Sequence, residues 1–477
     1  MAESDDRRRL ASAPSGDWDT PTPVASSSAR QAELWAEFRG QASSPEPLTW
    51  GQRSIWKAYS EFRPHTAWLN ISRVVAVPRS AGEDAGAVVR AIGALMSRHE
   101  SLRTRIEQDE TGLRQVPAPG GRLQVHLVES DDAESIKDSM GAVPFDYLGE
   151  WPLRATLVMS GGRVTHVALV FSHVAVDFHA SEILMRELRL LLLRGQITTP
   201  AGLQSVDVAR QELGPMKHRS DRARDHWLGN YEHLPHSMFD PVAPPLTPRF
   251  RRALLVSPAA DIAMRALAAR HGVSTATVLL AMTSVLICRW TGHDRCALFL
   301  MVNNRYQPGY RDAISKLNQL GLFVLEVGDD TDTGSLMARA WRAASRAYRH
   351  AYYDPYTMDE AIRQTGRPTG SAFEPWCYVN DLRLPGLTDT VQPPSDSSPA
   401  ALEAALQHTS LSWPETLDRF AWRFRLQVMD APTGLGLSIT ADTHYLPPER
   451  IERFLRELER LIVNAAVRLE TSGDDQV

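Results

Sequence analysis

The chain has 477 residues, a formal net charge of −5, 43% apolar residues and 23% charged residues. This composition is typical of a soluble globular protein, and the length predicts two lobes rather than one ordinary core. The acidic balance disfavours a nucleic-acid binder, which normally presents a basic face, although several Arg-rich stretches are present.

The first 45 residues are rich in Ser, Ala, Pro and Asp and have little apolar periodicity. They predict a disordered tail with a short helix at 30–38, more typical of a solvated leader than of a docking segment. Arg7-Arg8-Arg9 has no apolar core behind it, so no secretory signal is predicted. The longest apolar stretch, near 277–288, is too short and too interrupted to span a bilayer. We therefore expect a cytoplasmic protein without membrane contacts.

The three cysteines, Cys288, Cys296 and Cys377, are widely spaced and odd in number. Their spacing matches no metal-ligand cluster, and Cys288 lies in an apolar stretch. We interpret all three as buried structural thiols of a reducing compartment.

The first half of the chain alternates helical and extended patterns after Leu48. A helix is predicted at 84–98, strands at 123–128, 153–158 and 165–171, and an amphipathic helix at 181–194. The strand at 165–171 is almost continuously apolar, which is typical of a central strand buried on both faces. A polar connection through 205–224 follows, and it predicts a division into lobes 46–225 and 226–477.

The second half repeats the alternation. Gly272 and Ser274 predict the end of one helix and the start of the next. The predicted elements are helices at 261–271, 275–290, 336–350 (capped by Ser335) and 448–469, strands at 297–302, 323–327, 421–428 and 435–440, and a loop at 385–400. Strands alternating with helices predict an α/β protein of two similar lobes.

A His-x-x-x-Asp pair, His173 and Asp177, stands out by its placement. The spacing alone is weak evidence, because His236/Asp240 and His350/Asp354 share it. His173, however, falls at the end of the buried strand and Asp177 just before a helix, where a sheet presents side chains to a crevice.

A neutral imidazole at that place can accept a proton from an attacking amine or alcohol. The carboxylate, one loop later, is better placed to hold the loop by pairing with a buried arginine. A histidine at the core edge, satisfied by backbone groups, is the alternative, and residue type and placement leave both interpretations open.

Three segments of the first half carry a family resemblance. They read Leu-Thr-Trp-Gly-Gln-Arg-Ser-Ile-Trp at 48–56, Arg-His-Glu-Ser-Leu-Arg-Thr-Arg-Ile at 98–106 and Ser-His-Val-Ala-Val-Asp-Phe at 172–178. They resemble, in order, motifs of nonribosomal peptide synthetase condensation domains, the third being similar to His-His-x-x-x-Asp-Gly. Gly51 stands where the family usually has Ala.

Further matches keep the family's order through the second half. They are Asp207 and Trp227 of the segment between the lobes, Asn304-Arg305 (similar to a Gly-Arg motif), Leu-Gly-Leu-Phe-Val at 320–324, His350 with Asp354-Pro355-Tyr356, and Asn380 in a strand that lines the family's tunnel.

The resemblance implies two chloramphenicol-acetyltransferase-like lobes in a V-shaped pseudo-dimer with a tunnel between them. An acyl thioester on the phosphopantetheine arm of a carrier protein enters from one side, and a small amine or alcohol acceptor from the other. Amide or ester formation then needs no metal or organic cofactor. His173 assists or orients the nucleophile, Arg305 pairs with Asp177, and Asn380 lines the tunnel. Because no adenylation or carrier module fits in the chain, we expect the carrier as a separate protein.

Two departures from the third motif bear on activity. Ser172 replaces a mainly structural His, and its hydroxyl can still donate one hydrogen bond to the loop. Phe178 replaces a Gly, which permits positive φ and close passage of the substrate arm. Two alternatives to an active condensation enzyme therefore stay open: a catalytically silent module that recruits a partner, and an acyltransferase that uses coenzyme A.

Overall fold

The computed structural model describes residues 34–473, with gaps at 42, 111, 236, 329–331, 366–376 and 384–391. The strands of these residues are β1 (Leu34–Arg39), β2 (Glu46–Pro47), β3 (Asn70–Ala76), β4 (Thr104–Asp109), β5 (Gly112–Pro117), β6 (Gly120–Glu129), β7 (Leu153–Ser160), β8 (Arg163–Ser172), β9 (Phe250–Ser257), β10 (Arg295–Val302), β11 (Gln319–Glu326), β12 (Cys377–Asp381), β13 (Ser410–Leu417), β14 (Phe424–Ala431) and β15 (Gly434–Asp442). The helices are α1 (Trp50–Phe62), α2 (Ala85–Arg98), α3 (Ala133–Gly141), α4 (Phe178–Arg194), α5 (Ser205–Leu213), α6 (Lys217–Tyr231), α7 (Pro258–His271), α8 (Thr275–Thr291), α9 (Thr333–Arg349), α10 (Pro355–Gln364), α11 (Pro399–Leu406) and α12 (Pro448–Gly473).

The first lobe is built on a five-stranded sheet in the order β1-β6-β7-β8-β3. β8 is an interior strand of this sheet. Val167, Leu169 and Phe171 face the core that includes α2 and α4, while Ala168 and Val170 pack into two clusters on the other face. The prediction of a strand buried on both faces is therefore confirmed, and its carboxyl end carries His173.

The second lobe is built on a seven-stranded sheet in the order β11-β10-β12-β14-β15-β9-β13. Side chains of α7, α8, α9 and α12 pack with this sheet in the largest apolar cluster of the described residues. The three cysteines lie buried in that cluster, as predicted. Burial raises the pKa of Cys288 to about 12 and raises those of the other two thiols as well, so all three are protonated and unreactive at neutral pH.

The two sheets repeat one arrangement, which confirms the predicted pair of similar lobes. In each, a parallel pair (β6 with β7, β12 with β14) continues through two antiparallel partners (β8 and β3, β15 and β9). β8 and β15 each end in a three-residue turn that leads into a long helix. At the first position of that turn, the first lobe has His173 and the second has Thr443, so only the first lobe carries the imidazole.

Residues 34–39 contradict two predictions, the disordered tail of 45 residues and its short helix at 30–38. They form strand β1, which pairs with β6 at the edge of the sheet. Ala36 and Phe38 are buried while Glu37 and Arg39 are exposed. This alternation of buried and exposed side chains is typical of a half-buried strand. An apolar run this short does not by itself distinguish a strand from a helix, so the sheet that it joins decides its structure. Residues 1–33 lie outside the described residues.

The predicted polar connection at 205–224 forms helices α5 and α6, which the sequence analysis did not predict. The lobe division at 225/226 falls inside α6. Both helices are polar on average, yet each buries a narrow face, with Val208 and Ala209 on α5 and Ala223, Trp227 and Tyr231 on α6. Burial of such a face stabilises a helix whose sequence is otherwise polar.

The other predicted elements are present with shifted ends, but ten further described elements were not predicted. α9 is capped by Asp332, whose carboxylate accepts from the backbone N–H groups of Gly334 and Ser335, rather than by Ser335. The predicted loop at 385–400 gives way to α11 at Pro399, and its residues 385–391 lie outside the described part. The described elements that were not predicted are β2, β3, β4, β5, β9, β13, α1, α3, α10 and α11. In the described ranges no single helix is long and apolar enough to cross a membrane; α7 and α8 pass that test only as a pair bent by 106°.

A buried carboxyl group, that of Glu212 on α5, joins the 48–56 motif to the second half of the chain. It accepts from the backbone N–H of Trp50 (2.7 Å) and contacts the hydroxyl of Tyr352 (2.5 Å). Burial raises the pKa of Glu212 to about 8, although the bonds from Tyr352 and Trp50 lower it. Glu212 is therefore largely protonated at neutral pH in the folded protein.

We expect Glu212 to make the protein less stable as the pH rises. The unfolded chain ionises this group near pH 4.5, so the stability contributed by the protonated carboxyl is complete below that pH and is lost as the pH rises towards 8. Glu212→Gln keeps the shape and stays neutral. Its unfolding free energy should fall less than the parent's between pH 5 and 8, by up to about 1.4 kcal/mol per pH unit.

Urea denaturation at pH 5, 6, 7 and 8 measures this difference. Glu403→Gln, at an exposed position of α11, is the matched control and should follow the parent. Parallel pH profiles for the parent and Glu212→Gln would show that Glu212 is ionised in the folded state.

Candidate active site around His173

The His173 ring lies in the turn between β8 and α4 and is oriented by the turn itself. Its Nδ1 lies 2.7 Å from the carbonyl oxygen of Val176. A carbonyl only accepts, so Nδ1 carries the hydrogen and the neutral ring keeps a lone pair on Nε2. Burial, and secondly the positive charge of Lys316, lower the pKa of His173 to about 4, against the opposing effects of Val176 and Asp177. The imidazole is therefore neutral at physiological pH.

The Asp177 carboxylate is buried and fully engaged in holding the turn. Oδ1 accepts from the backbone N–H of Ala180 (2.8 Å), which makes Asp177 the N-cap of α4, and from Nη2 of Arg305 (2.7 Å). Oδ2 accepts from the N–H groups of Leu317 (3.1 Å) and Asn318 (3.3 Å). Burial by itself raises the pKa of Asp177, but Arg305 and these N–H groups outweigh it and lower the pKa below its usual value.

Arg305 reaches Asp177 from the second half of the chain and is buried with it, with side-chain exposures of 4% and 1%. Its Nη1 donates to the carbonyl oxygens of Ala313 (2.7 Å) and Tyr310 (3.2 Å). The guanidinium thus closes the 305–315 loop and pairs with the carboxylate at the same time. A buried ion pair of this kind needs such extra hydrogen bonds to offset desolvation.

Asn304 explains why the family's Gly-Arg motif can be Asn-Arg here. It is the one non-glycine residue of the described chain with a left-handed backbone, at φ 57°. Asn tolerates this conformation better than most residues. Its buried side chain donates to the carbonyl oxygens of Leu317 (2.9 Å) and Ala351 (3.0 Å), which fixes the loop that binds Asp177.

The 98–106 motif supports the turn from inside the first lobe. Ser101 Oγ donates to the carbonyl oxygen of Ala175 (2.5 Å), in the middle of the turn. The His99 ring contacts Glu187 on α4 (2.6 Å). This motif fixes the His173 turn and its helix without itself joining the site.

Ser172 does not make the bond that the sequence predicted, whereas Asn380 lies in a strand as expected. The Ser172 hydroxyl is buried and donates no hydrogen bond to the turn, so the predicted bond to the loop is absent. It lies beside the Tyr147 hydroxyl, whose pKa is raised by burial and slightly lowered by Ser172. Asn380 is half-buried on β12, paired in register with Gln427. In the described structure no hydrogen bond links it to His173, Asp177 or Arg305.

Phe178 is the first residue of α4 and has an ordinary right-handed backbone, so the predicted conformational cost of losing a glycine does not arise. Its half-buried ring lies against the Arg73 guanidinium of β3, 4.4 Å from ring centroid to Cζ. Arg73 also reaches Glu182 on α4 (3.3 Å). The ring therefore packs between the helix and the edge strand.

Lys316 and Gly51 were missed as part of this site. Lys316 is buried, and its Nζ contacts Ser54 Oγ of α1 (3.4 Å) and the Asn318 carbonyl oxygen. A Cβ on Gly51 would lie 1.9 Å from the Lys316 carbonyl oxygen, so the family's usual Ala does not fit here. Little in the sequence marks Lys316, which belongs to no motif.

The His350/Asp354 pair has the same spacing but does not form a comparable site. Asp354 caps α10 and pairs with Arg53 (2.6 Å). His350 stacks on His226, with ring centroids 4.4 Å apart. His236 lies outside the described residues. In the described ranges no group of three His, Cys, Asp or Glu side chains is arranged to hold a metal ion.

Comparisons with known proteins agree with the fold. The family model of the condensation domain matches residues 45–475, and the chain belongs to this family. It is thus a condensation domain of the kind found in nonribosomal peptide and polyketide synthetases, with an α/β fold like that of chloramphenicol acetyltransferase.

Among relatives, phosphinothricin tripeptide synthetase PhsC of Streptomyces viridochromogenes is 24% identical over 84% of this chain, which spans 40% of that protein's length. Among solved structures, the condensation domain of the Monacolin K polyketide synthase MokA superposes with a TM-score of 0.70 and 16% identity, covering 89% of this chain and 98% of that one. The condensation domain that mediates chain release from the enacyloxin polyketide synthase gives a TM-score of 0.67 and 19% identity, covering 90% and 85%.

We expect Asp177→Ala and Arg305→Ala to destabilise the fold, because each leaves the other charge buried without its partner. The cost should be roughly 3–5 kcal/mol in unfolding free energy. Denaturant titration of each variant measures it. Arg224→Ala, which removes a surface ion pair with Asp221, is the control and should cost less than about 1 kcal/mol. Unchanged denaturation midpoints in both buried-pair variants would contradict this assignment.

Phe178→Gly separates a packing role from a role on the substrate path. We expect loss of the contact with Arg73 to lower stability by about 1 kcal/mol and leave the Asp177 bonds in place. Thermal melting measures the stability, and transfer assays with acceptors of increasing size measure access. A wider acceptor range in Phe178→Gly places the ring on the substrate path, whereas an unchanged range confines it to packing.

Proposed function

We propose that this protein is a free-standing condensation enzyme of natural-product biosynthesis. It transfers an acyl group from a separate carrier protein's phosphopantetheine thioester to a small amine or alcohol. The observation that carries the proposal is the neutral His173 imidazole, whose Nδ1–H is committed to Val176 and whose Nε2 has no partner among the described residues.

In the proposed reaction the acceptor's nitrogen or oxygen attacks the thioester carbonyl carbon. A C–N or C–O bond forms, the C–S bond breaks, and the acceptor's proton ends on the departing sulfur. Nε2 accepts the hydrogen bond from the attacking N–H or O–H group. The same atom can carry the proton from the acceptor to the sulfur.

The environment of His173 favours a role in orienting the acceptor over complete removal of the acceptor's proton. An imidazole with a pKa near 4 is a weak base at neutral pH, and base catalysis is most effective when the pKa lies near the working pH. A fixed lone pair can still align the nucleophile, and alignment alone lowers the barrier substantially. Asp177 takes no part in proton transfer, because Arg305 and three backbone N–H groups occupy its oxygens.

We expect His173→Ala to fold normally and to lose at least about 100-fold in the transfer rate. Intact-mass spectrometry of acyl-loaded carrier proteins, with candidate amines and alcohols added, measures acyl loss and product. His166→Ala, half-buried on strand β8 that leads to the turn, is the control and should retain the rate. Parallel arms with acyl-coenzyme A test the acyltransferase alternative. Unchanged turnover in His173→Ala, or none in the parent with any donor, favours the recruiting module.

The pH dependence gives a second test in the parent. With an alcohol acceptor, whose own protonation stays constant, the transfer rate should be flat from pH 8 to about pH 5, because His173 stays neutral above its pKa of about 4. A falling limb near pH 6.5 would mean that His173 behaves as an ordinary exposed histidine.

A further inference from the structure

We propose that helices α6 and α9 together form a docking surface for a carboxylate-rich face of another protein. The surface, which we call the α6–α9 face, consists of five arginines: Arg219 and Arg222 on α6, and Arg342, Arg346 and Arg349 on α9. The proposal concerns binding alone, so it does not depend on the condensation activity proposed above.

Helical spacing and one ring contact bring the five arginines together. The two α6 arginines precede His226 by two turns and by one turn, and the three α9 arginines follow one another at intervals of four and three residues. Residues at these intervals share one side of a helix. The His226 ring stacks on His350, the residue that ends α9, with ring centroids 4.4 Å apart. The stack joins the end of α9 to α6, so the two sets of guanidinium groups border one surface.

The positive charge of the α6–α9 face is not neutralised by any residue that the structure describes. Four of the five side chains are exposed and Arg219 is half-buried, and no described carboxylate lies within 4.0 Å of any of them. α9 contains no Asp or Glu, and the two carboxylates of α6, Asp221 and Asp225, both pair with Arg224. The buried Nε of Arg219 makes no hydrogen bond with a described residue.

The helix dipole explains only part of this pattern. Cations in the last turn stabilise a helix, which accounts for Arg346 and Arg349. Arg342, however, lies two turns before the end of α9, and Arg219 lies in the first turn of α6, where positive charge opposes the dipole. Arg222, in the second turn of α6, gains nothing from it either. Three of the five arginines are thus placed without benefit to their own helices, which points to a role in binding.

Exposed aromatic rings border the arginines. Trp341 and Tyr348 on α9 are 53% and 36% exposed, and Tyr306 in the neighbouring loop is 51% exposed. The Tyr306 hydroxyl donates to the carbonyl oxygen of Tyr348 (3.2 Å), which joins this loop to α9. Arg, Trp and Tyr are the residue types that dominate the binding energy of protein interfaces. Tyr306 directly follows Arg305, so a partner on this face would contact the loop that binds Asp177.

The charge of the rest of the chain favours a compact acidic partner. The five arginines contribute +5 to a net charge of −5, so the remainder of the chain carries −10. A nucleic acid that extends past the face would meet this negative remainder, whereas a protein with a local cluster of carboxylates contacts the arginines alone. Guanidinium groups also bind carboxylates through two parallel hydrogen bonds, which adds specificity to the charge attraction.

A fluorescent label within the α6–α9 face tests binding directly. Ser345→Cys places a thiol on α9 between Trp341 and Tyr348, and the three native cysteines are buried, so an acrylodan label reacts at position 345. Poly-L-glutamate is the probe. We expect a saturable change in emission at low salt, with an affinity that weakens as the salt concentration rises. The same label on Ser80→Cys, in an exposed turn between β3 and α2, should not respond.

Charge reversal on α9 identifies the arginines as the binding groups. Arg342→Glu/Arg346→Glu in the labelled protein should weaken poly-L-glutamate binding at least about tenfold. Arg79→Glu/Arg460→Glu makes the same change of net charge at exposed positions elsewhere, and this matched control should change the affinity less than about twofold. Should the reversal prevent folding, Arg342→Gln/Arg346→Gln removes the charge without inverting it and should weaken binding at least about threefold.

Three results would overturn the proposal. One is a parent protein with no saturable response to poly-L-glutamate, and another is equal affinity in the parent and the α9 variants. The third is tighter binding of single-stranded DNA or of phosphatidylserine vesicles than of poly-L-glutamate at equal charge, which would make the face a nucleic-acid or membrane surface. Since no readout requires acyl transfer, an inactive protein would bear on the proposed function and leave this test intact.

Discussion

The buried Asp177 carboxylate connects the two halves of the molecule. Through its two oxygens it caps α4 of the first lobe, pairs with Arg305 and accepts from the 317–318 backbone of the second half. Four donors converge on one carboxylate, so the turn that carries His173 cannot move without breaking contacts across the lobes. A buried charge without partners is costly because it has lost its hydration. For the same reason the buried network is stable only when all of its hydrogen bonds are formed, which fixes its geometry.

The departures from the family's motifs become understandable around this network. Asn304 supplies the left-handed backbone that a glycine would otherwise provide, and it also binds the loop below Asp177. Gly51 leaves room for Lys316. Phe178 leaves the cap of α4 intact, since its backbone is helical and its ring packs on Arg73. None of the three removes a bond that holds His173.

The two sheets share one arrangement, but their lobes differ at the turn that follows β8 and β15. Both β8 and β15 end in the same turn and lead into a long helix. In the second lobe Asp442, at the end of β15, pairs with Arg249 (2.8 Å), and Thr443 bonds back to the Arg249 carbonyl group (2.6 Å). These side chains close the turn with structural contacts, whereas in the first lobe the imidazole keeps one nitrogen free.

Local patterns in the sequence predicted about half of the described strands and helices, and the position of His173 at the end of β8. A continuous apolar run predicts β8, and caps such as Ser274 and Gly272 predict helix ends, because these effects act within one turn or one strand. The edge strand β1 and the polar helices α5 and α6 were missed because their stability comes from neighbours distant in the chain. The Asp177–Arg305 pair joins residues 128 apart, and it was expected only through the family resemblance. The lowered pKa of the buried His173 was decided by tertiary structure alone, because a pKa depends on distances and burial that no local pattern records.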